Sequence, residues 1–178
     1  MAALLSPVNS TNVRNQVVLL VRGNDGAPLD ALTASLHRAG YQVVVVDPAR
    51  EGTLDAVVSG VEANGDRVVG FVGHSEGATS VVAWLVRTRR VARAVLIAPA
   101  ATHFAVERVR ASALVIDDDA GLALARAWPD GRFSRIEAAD PSDAVVIDDA
   151  VDFIARRVVF APPPDIGAAT FGAPAPLY

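Results

Sequence analysis

Apolar residues in this chain occur in short, uninterrupted runs and do not alternate regularly with polar ones. The runs are QVVLLV (16–21), YQVVVV (41–46), RVVGFV (67–72), AVLIA (94–98), ASALVI (111–116) and RFSRI (132–136). A strand with one face in water would alternate, whereas a continuously apolar strand is typical of a sheet that is covered on both faces. The pattern therefore predicts about six buried strands.

Stretches with helical spacing of apolar residues separate these runs. They are PLDALTASLHRAG (28–40), TLDAVVSGVEANG (53–65), EGATSVVAWLVRT (76–88), GLALARAW (121–128) and SDAVVIDDAVDFIARRV (142–158). We expect Gly40 to end the first helix and Ser142 to be the N-cap of the last. Alternating strands and helices imply right-handed crossovers, so we predict an α/β fold: a three-layer sandwich around a mostly parallel sheet.

The hydrophobic pattern covers the middle of the chain and stops near both ends. Residues 1–15 are interpreted as an N-terminal extension and residues 16–160 as a single domain. Residues 161–178, APPPDIGAATFGAPAPLY, hold five of the eleven prolines and show neither a helical nor a strand periodicity of apolar residues. We predict that this segment is an extended, Pro-rich C-terminal tail.

One motif points to chemistry. GHSEG (73–77) fits G-x-S-x-G and lies between a predicted strand and a predicted helix, which is the arrangement that a nucleophile elbow requires. Ser75 would occupy a strained turn in which a Cβ atom at Gly73 or Gly77 would collide with neighbouring backbone. Ser75 is therefore the candidate nucleophile.

With this elbow and this strand order, the chain resembles the α/β-hydrolase superfamily over about residues 16–160, as a small member. The resemblance implies that the turn VRGNDGAP (21–28) follows the first core strand, with Arg22 where relatives have histidine. It further implies an oxyanion hole formed by the backbone N–H groups of Asn24 and Glu76. Arg22, Gly23 and His74 would then contact the substrate. The alternatives are a salt bridge of Arg22 with Asp25 or Asp47 and a packing role for His74.

The resemblance also implies where an acid and a base should lie. The acid follows the strand ALVI, where Asp117, Asp118 and Asp119 occur, and the spacing favours Asp117 or Asp119. The base histidine belongs in the loop after the last strand, but that loop reads EAADPSD (137–143). His103, after the fourth strand, is the candidate replacement, and a structural role for it is the alternative.

Between the fourth and fifth strands only residues 100–110 are available, where many relatives of this superfamily insert several helices. We therefore expect an open, lidless site. Such a site suits a bulky or carrier-bound substrate, or a partner protein, better than a small molecule that must be shielded from water.

Composition narrows the classes of partner. A formal net charge of −4 gives no basic face for nucleic acid or anionic lipid, and the apolar runs are too short to cross a membrane. The chain has no cysteine, and its acidic runs lack the ligand spacing of a metal site, so we expect neither a metal nor a cofactor. The N-terminus is a poor signal peptide, so cytoplasmic location is expected. Homo-oligomerisation remains open.

Three functions follow from these residues. The first is hydrolysis of an ester, thioester or lactone-type carbonyl through Ser75. The second is non-hydrolytic chemistry, such as cyclisation, isomerisation or elimination, in which a carbonyl group is polarised by Ser75, Glu76, Arg22 and the hole. The third is a non-catalytic binding protein that uses the open cleft or the tail. Fold alone does not distinguish them.

Overall fold

A computed structural model describes residues 16–47 and 52–156. The predicted N-terminal extension and the predicted Pro-rich tail both lie outside these ranges. The strands are β1 (Gln16–Val21), β2 (Gln42–Val46), β3 (Arg67–His74), β4 (Arg93–Ile97), β5 (Ser112–Asp117) and β6 (Gly131–Arg135). The α-helices are α1 (Asp30–Arg38), α2 (Thr53–Ala63), α3 (Glu76–Thr88), α4 (Leu122–Ala127) and α5 (Ala144–Ala155).

The strands form one six-stranded sheet in the order β2-β1-β3-β4-β5-β6. Every neighbouring pair is parallel, so the predicted, mostly parallel α/β sheet is confirmed. Strand ends differ from the sequence-based ranges by one or two residues, the largest change being the extension of β3 to His74. This extension brings β3 directly to the motif serine.

Helices cover both faces of the sheet, which explains the continuous hydrophobicity of the strands. On one face, α1 and α5 pack against alternate strand residues such as Val18, Leu20 and Val95. On the other face, α2, α3 and α4 pack against residues such as Leu19 and Leu96. The result is the predicted three-layer sandwich.

The connection between β4 and β5, residues 98–111, contains no helix. Apolar side chains cover the sheet there instead: Val106 and Val109 are buried in the same cluster as α3. The indole N–H of Trp128 donates a 2.6 Å hydrogen bond to the carbonyl of Ala111 and fixes the end of the connection.

One predicted helix end is confirmed and the other is wrong. Gly40 follows α1 with φ 93° and donates its N–H to the carbonyl of His37, as a C-terminal glycine does. The N-cap of α5 is Asp143, whose carboxylate accepts from the N–H of Val145. Ser142 instead bonds to Asp140, since a carboxylate one residue later can reach the free N–H groups of the helix.

The helices within the described ranges are all too short, or too polar, to cross a membrane.

Candidate active site

Ser75 lies at the turn between β3 and α3, with φ 54° and ψ −121°. Few residues other than glycine adopt this backbone conformation, and such strain persists only where the surrounding structure enforces it. The N–H of Ser75 donates to the carbonyl of Ile97 at 3.0 Å, and its own carbonyl accepts from Ala100 at 3.3 Å. These contacts hold the turn against the C-terminal end of β4.

The two motif glycines are required by close backbone approach, as predicted. A Cβ atom at Gly73 would lie 2.5 Å from Cα of Ala78. At Gly77 it would overlap the carbonyl oxygen of Val21 and lie 2.8 Å from the carbonyl carbon of Arg22. Helix α3 can therefore begin directly behind Ser75 only because these positions have no side chain.

The Glu76 carboxylate occupies the space in front of the predicted oxyanion hole. Its Oε2 accepts a 2.8 Å hydrogen bond from the Ser75 hydroxyl and a 3.3 Å bond from the N–H of Asn24. Its own N–H, the Ser75 hydroxyl and the Asn24 N–H hold the pKa of Glu76 below its usual range. The Asn24 N–H, one of the two donors predicted for the hole, is thus bonded to this carboxylate.

His74 is 9% exposed and lies below the elbow. Its Nδ1 is 3.2 Å from Oδ2 of Asp25, but the two groups lack the alignment of a hydrogen bond. His74 also contributes, as the smallest cause, to the lowered pKa of Glu76 and of Asp140. Nδ1 of His74 thus faces Asp25, while the Ser75 hydroxyl is bonded to Glu76 and not to this histidine.

Gly23 and Arg22 line the turn beside the elbow. A Cβ atom at Gly23 would lie 2.9 Å from the carbonyl oxygen of His74 and 3.1 Å from Cβ of Ser75, so the glycine permits close approach to the nucleophile. Nε of Arg22 lies 3.8 Å from the carboxylate of Asp47. This nitrogen makes no hydrogen bond to the described part of the chain. The ion pair of Arg22 is therefore with Asp47 and not with Asp25.

The acidic run after β5 separates into three different environments. Asp117 ends the strand, and burial raises the pKa of its carboxyl group, while the backbone N–H groups of Asp118 and Gly121 oppose this shift. Asp118 accepts a 2.8 Å bond from Ala120 and caps the following turn. Asp119 is exposed and pairs with Arg135 at 3.1 Å. Of the two favoured candidates, Asp117 is partly buried and Asp119 is exposed and paired.

No described histidine is placed beside Ser75 as a base. His103 is exposed in the connection after β4 and makes no hydrogen bond or ion pair with the described residues. In the loop after β6, Asp140 accepts from the N–H and the hydroxyl of Ser142, and these bonds lower the pKa of Asp140. The structure thus brings together Ser75, Asn24 and Glu76, and leaves His103 without a contact to them.

Across residues 16–47 and 52–156, no group of three or more acidic or histidine side chains is arranged to hold a metal ion.

The side chain of Glu76 is the feature that sequence reasoning missed, because the motif assigns this position a role for its backbone N–H. The sequence does show an acidic residue, Glu76, directly after Ser75 in the first turn of a predicted helix. A carboxylate at such a position can fold back and accept hydrogen bonds from the free N–H groups there.

Comparison with known proteins supports the fold but does not assign a family. No protein-family model matches the chain, and no curated protein has a matching sequence. The chain is similar to the crystal structure of an esterase domain from a Rhodothermus marinus protein, with a TM-score of 0.58 and 17% sequence identity. The match covers 84% of this chain and 86% of that domain. At this identity the likeness shows a shared α/β fold.

Proposed function

We propose that this chain is an α/β-hydrolase-like enzyme that acts on an ester, thioester or lactone-type carbonyl through Ser75. The observation that carries the proposal is the strained turn at Ser75, with the N–H of Asn24 and the Ser75 hydroxyl both bonded to one anionic oxygen, Oε2 of Glu76. The N–H of Glu76 is the second donor that we assign to the hole. Such paired donors stabilise negative charge that develops on a carbonyl oxygen. The fold shared with an esterase domain adds support.

In this reaction Oγ of Ser75 attacks the carbonyl carbon and loses its proton to a base, while the carbonyl oxygen becomes an oxyanion between the two N–H groups. The tetrahedral intermediate expels the alcohol or thiol, which takes up a proton. Water then hydrolyses the acyl-serine. Asp117 is the acid that would orient a base, and Arg22 and Gly23 lie where they would contact the substrate.

The base is the weak part of this constellation. The Ser75 hydroxyl donates to Glu76, whose low pKa makes it a poor proton acceptor at neutral pH. His103 would have to move to reach the serine. We therefore expect slow turnover, because loss of a triad member commonly lowers the rate by about 10⁴-fold or more.

A fluorophosphonate labelling experiment with peptide mapping tests the proposal. We expect modification at Ser75, and none in a folded Ser75→Ala variant. Thioester hydrolysis, monitored by the release of thiol, should likewise require Ser75. The absence of both labelling and hydrolysis, in Glu76→Ala as well as in the unaltered protein, would refute the proposal.

Non-hydrolytic chemistry at the same site is the second candidate, and it is favoured by the loop after β6. This loop presents Asp140, bonded to Ser142, at the position where the resemblance calls for a histidine. A carbonyl group could be polarised by the hole and by Arg22 without an acyl-serine.

The two candidates differ in their response to substitution. Polarisation predicts that Ser75→Ala weakens turnover without abolishing it and that Arg22→Ala has a comparable effect. Hydrolysis predicts complete loss with Ser75→Ala. An unchanged rate in Arg22→Ala would count against polarisation.

A further inference from the structure

The oxyanion hole assigned above already has an occupant within the chain. Oε2 of Glu76 accepts from the N–H of Asn24, 52 residues away in sequence, and from the Ser75 hydroxyl. The N–H of Glu76 also helps to lower the pKa of this carboxylate. A negatively charged oxygen therefore lies where a substrate oxyanion would bind.

The hydroxyl hydrogen bond has a second consequence. Oγ of Ser75 donates its proton to the carboxylate at 2.8 Å, so the hydroxyl is directed toward the hole instead of toward a base on the opposite side. A substrate carbonyl cannot enter while the carboxylate remains, because two oxygens cannot share the same donors. The electrostatic repulsion between a carboxylate and a developing oxyanion acts in the same direction.

The charged groups around Glu76 do not remove it from this position. Hydrogen bonds from the Glu76 N–H, the Ser75 hydroxyl and the Asn24 N–H lower the pKa of Glu76. His74, which lies 3.2 Å from Asp25, adds a smaller effect in the same direction. The carboxylate consequently stays ionised at neutral pH and keeps its contacts with the donors.

We propose that the Glu76 side chain is an autoinhibitory, specificity-determining group that fills the oxyanion hole at rest, and that substrates react only after it turns out toward solvent. This inference rests on the proposed function, since the hole is defined by that chemistry. The Glu76 side chain is exposed, so it has room to rotate. The displaced carboxylate stays near the nucleophile and disfavours substrates with an anionic acyl group.

The rate of Ser75 phosphonylation measures how open the hole is. A fluorophosphonate reacts as Oγ of Ser75 bonds to phosphorus and fluoride leaves, and its phosphoryl oxygen needs the donors of the hole. We would compare the unaltered protein with Glu76→Ala and Glu76→Gln. Glu107→Gln, which removes an exposed carboxylate from the connection after β4, is the matched control.

We expect Glu76→Ala to label about tenfold faster, the size set by loss of charge-assisted hydrogen bonds. Glu76→Gln should show a smaller increase, because its amide oxygen can still accept from Asn24 without a charge. Glu107→Gln should match the unaltered protein. An unchanged or slower rate in a folded Glu76→Ala variant would overturn the proposal, and a slower rate would identify Glu76 as the base.

A measurement independent of reactivity separates this inference from the proposed function. The backbone amide proton of Asn24, followed by NMR across a pH titration, should shift with an inflection below the usual carboxyl pKa of glutamate. Glu76→Gln should remove the inflection. If no variant labels but the inflection is present, the hydrolase proposal fails and the contact stands. An Asn24 amide that does not respond to pH overturns the inference.

Discussion

At the scale of single residues, the environment of a carboxylate determines what it can do. Asp117, Asp118 and Asp119 are adjacent in sequence, yet one is half-buried, one caps a turn and one pairs with Arg135. Burial raises the pKa of Asp117, which means that charging this group costs more free energy in the folded than in the unfolded state. Its ionisation therefore lowers stability.

We predict that Asp117→Asn raises the melting temperature at pH 7. The amide removes the buried charge and keeps an oxygen acceptor for the N–H groups of Asp118 and Gly121. Because the folded-state pKa is raised, the gain should shrink as the pH falls through that pKa toward the ordinary aspartate pKa of 3.8. Thermal denaturation across pH tests this.

Asp148→Asn, an exposed change on α5, is the control and should show no such dependence on pH. A lower melting temperature for Asp117→Asn at pH 7, or a difference that is constant with pH, would contradict the explanation.

At the scale of elements, the junction of β3 and α3 depends on backbone approach. Gly77, in the first turn of α3, packs against the end of β1, and a Cβ atom at this position would overlap the carbonyl oxygen of Val21. Gly60 lies within α2, and a Cβ atom there would meet nothing within 4 Å. The same substitution should therefore have opposite effects at the two positions.

We predict that Gly77→Ala destabilises the protein by several kcal/mol, on the order of other overpacked sites, or prevents folding. Gly60→Ala should stabilise it by about 0.5–1 kcal/mol, from the better helix propensity of alanine. Urea denaturation measures both free energies of unfolding. A Gly77→Ala variant as stable as the parent would show that α3 can move away from β1.

Arg93 connects a central strand to the end of the last helix. Its Nη1 donates to the carbonyls of Phe153 and Ile154, at 2.9 and 2.5 Å, and thus satisfies free carbonyl groups at the C-terminal end of α5. The phenol group of Tyr41 donates to the same Ile154 carbonyl at 3.4 Å. The guanidinium therefore holds α5 against the sheet.

We predict that Arg93→Met lowers the free energy of unfolding by about 1.5–3 kcal/mol, the range for hydrogen bonds to a charged group. Arg87→Met is the matched control: Arg87 is exposed and pairs with Asp55, and a surface ion pair contributes less than about 1 kcal/mol. Equal losses in the two variants would argue against a special role for Arg93.

At the scale of the whole molecule, burial is greatest at the centre of the sheet. In β1, from Val17 to Val21, no residue is more than 1% exposed. The edge strands β2 and β6 contain mostly half-buried or exposed residues. Local opening should therefore start at the edges and reach the centre last.

Hydrogen exchange tests this order. We expect the amides of β1, β3 and β4 to exchange most slowly, and those of β2 and β6 to exchange earlier. Mass spectrometry of peptic peptides resolves the strands. A β6 peptide protected as strongly as β1 would indicate that the edge unfolds together with the centre.

Much of this fold could be predicted from the sequence because its signals are local. Strand and helix ranges agree with the structure to within a few residues, and the motif glycines are needed for the reason expected. The N-cap of α5 is predicted at Ser142 but lies at its neighbour Asp143, because both residue types are good caps and their contacts differ only in three dimensions. His103 could not be placed, since its connection has no periodicity.

The sequence by itself determined the class of fold and the position of the strained serine, since periodicity and glycine placement act over a few neighbouring residues. The tertiary structure alone decided which groups meet that serine. Asn24 and Glu76 are joined across 52 residues, and the side-chain rotation that directs the Glu76 carboxylate to the Asn24 N–H depends on packing between distant segments. Local sequence carries no information about such distances.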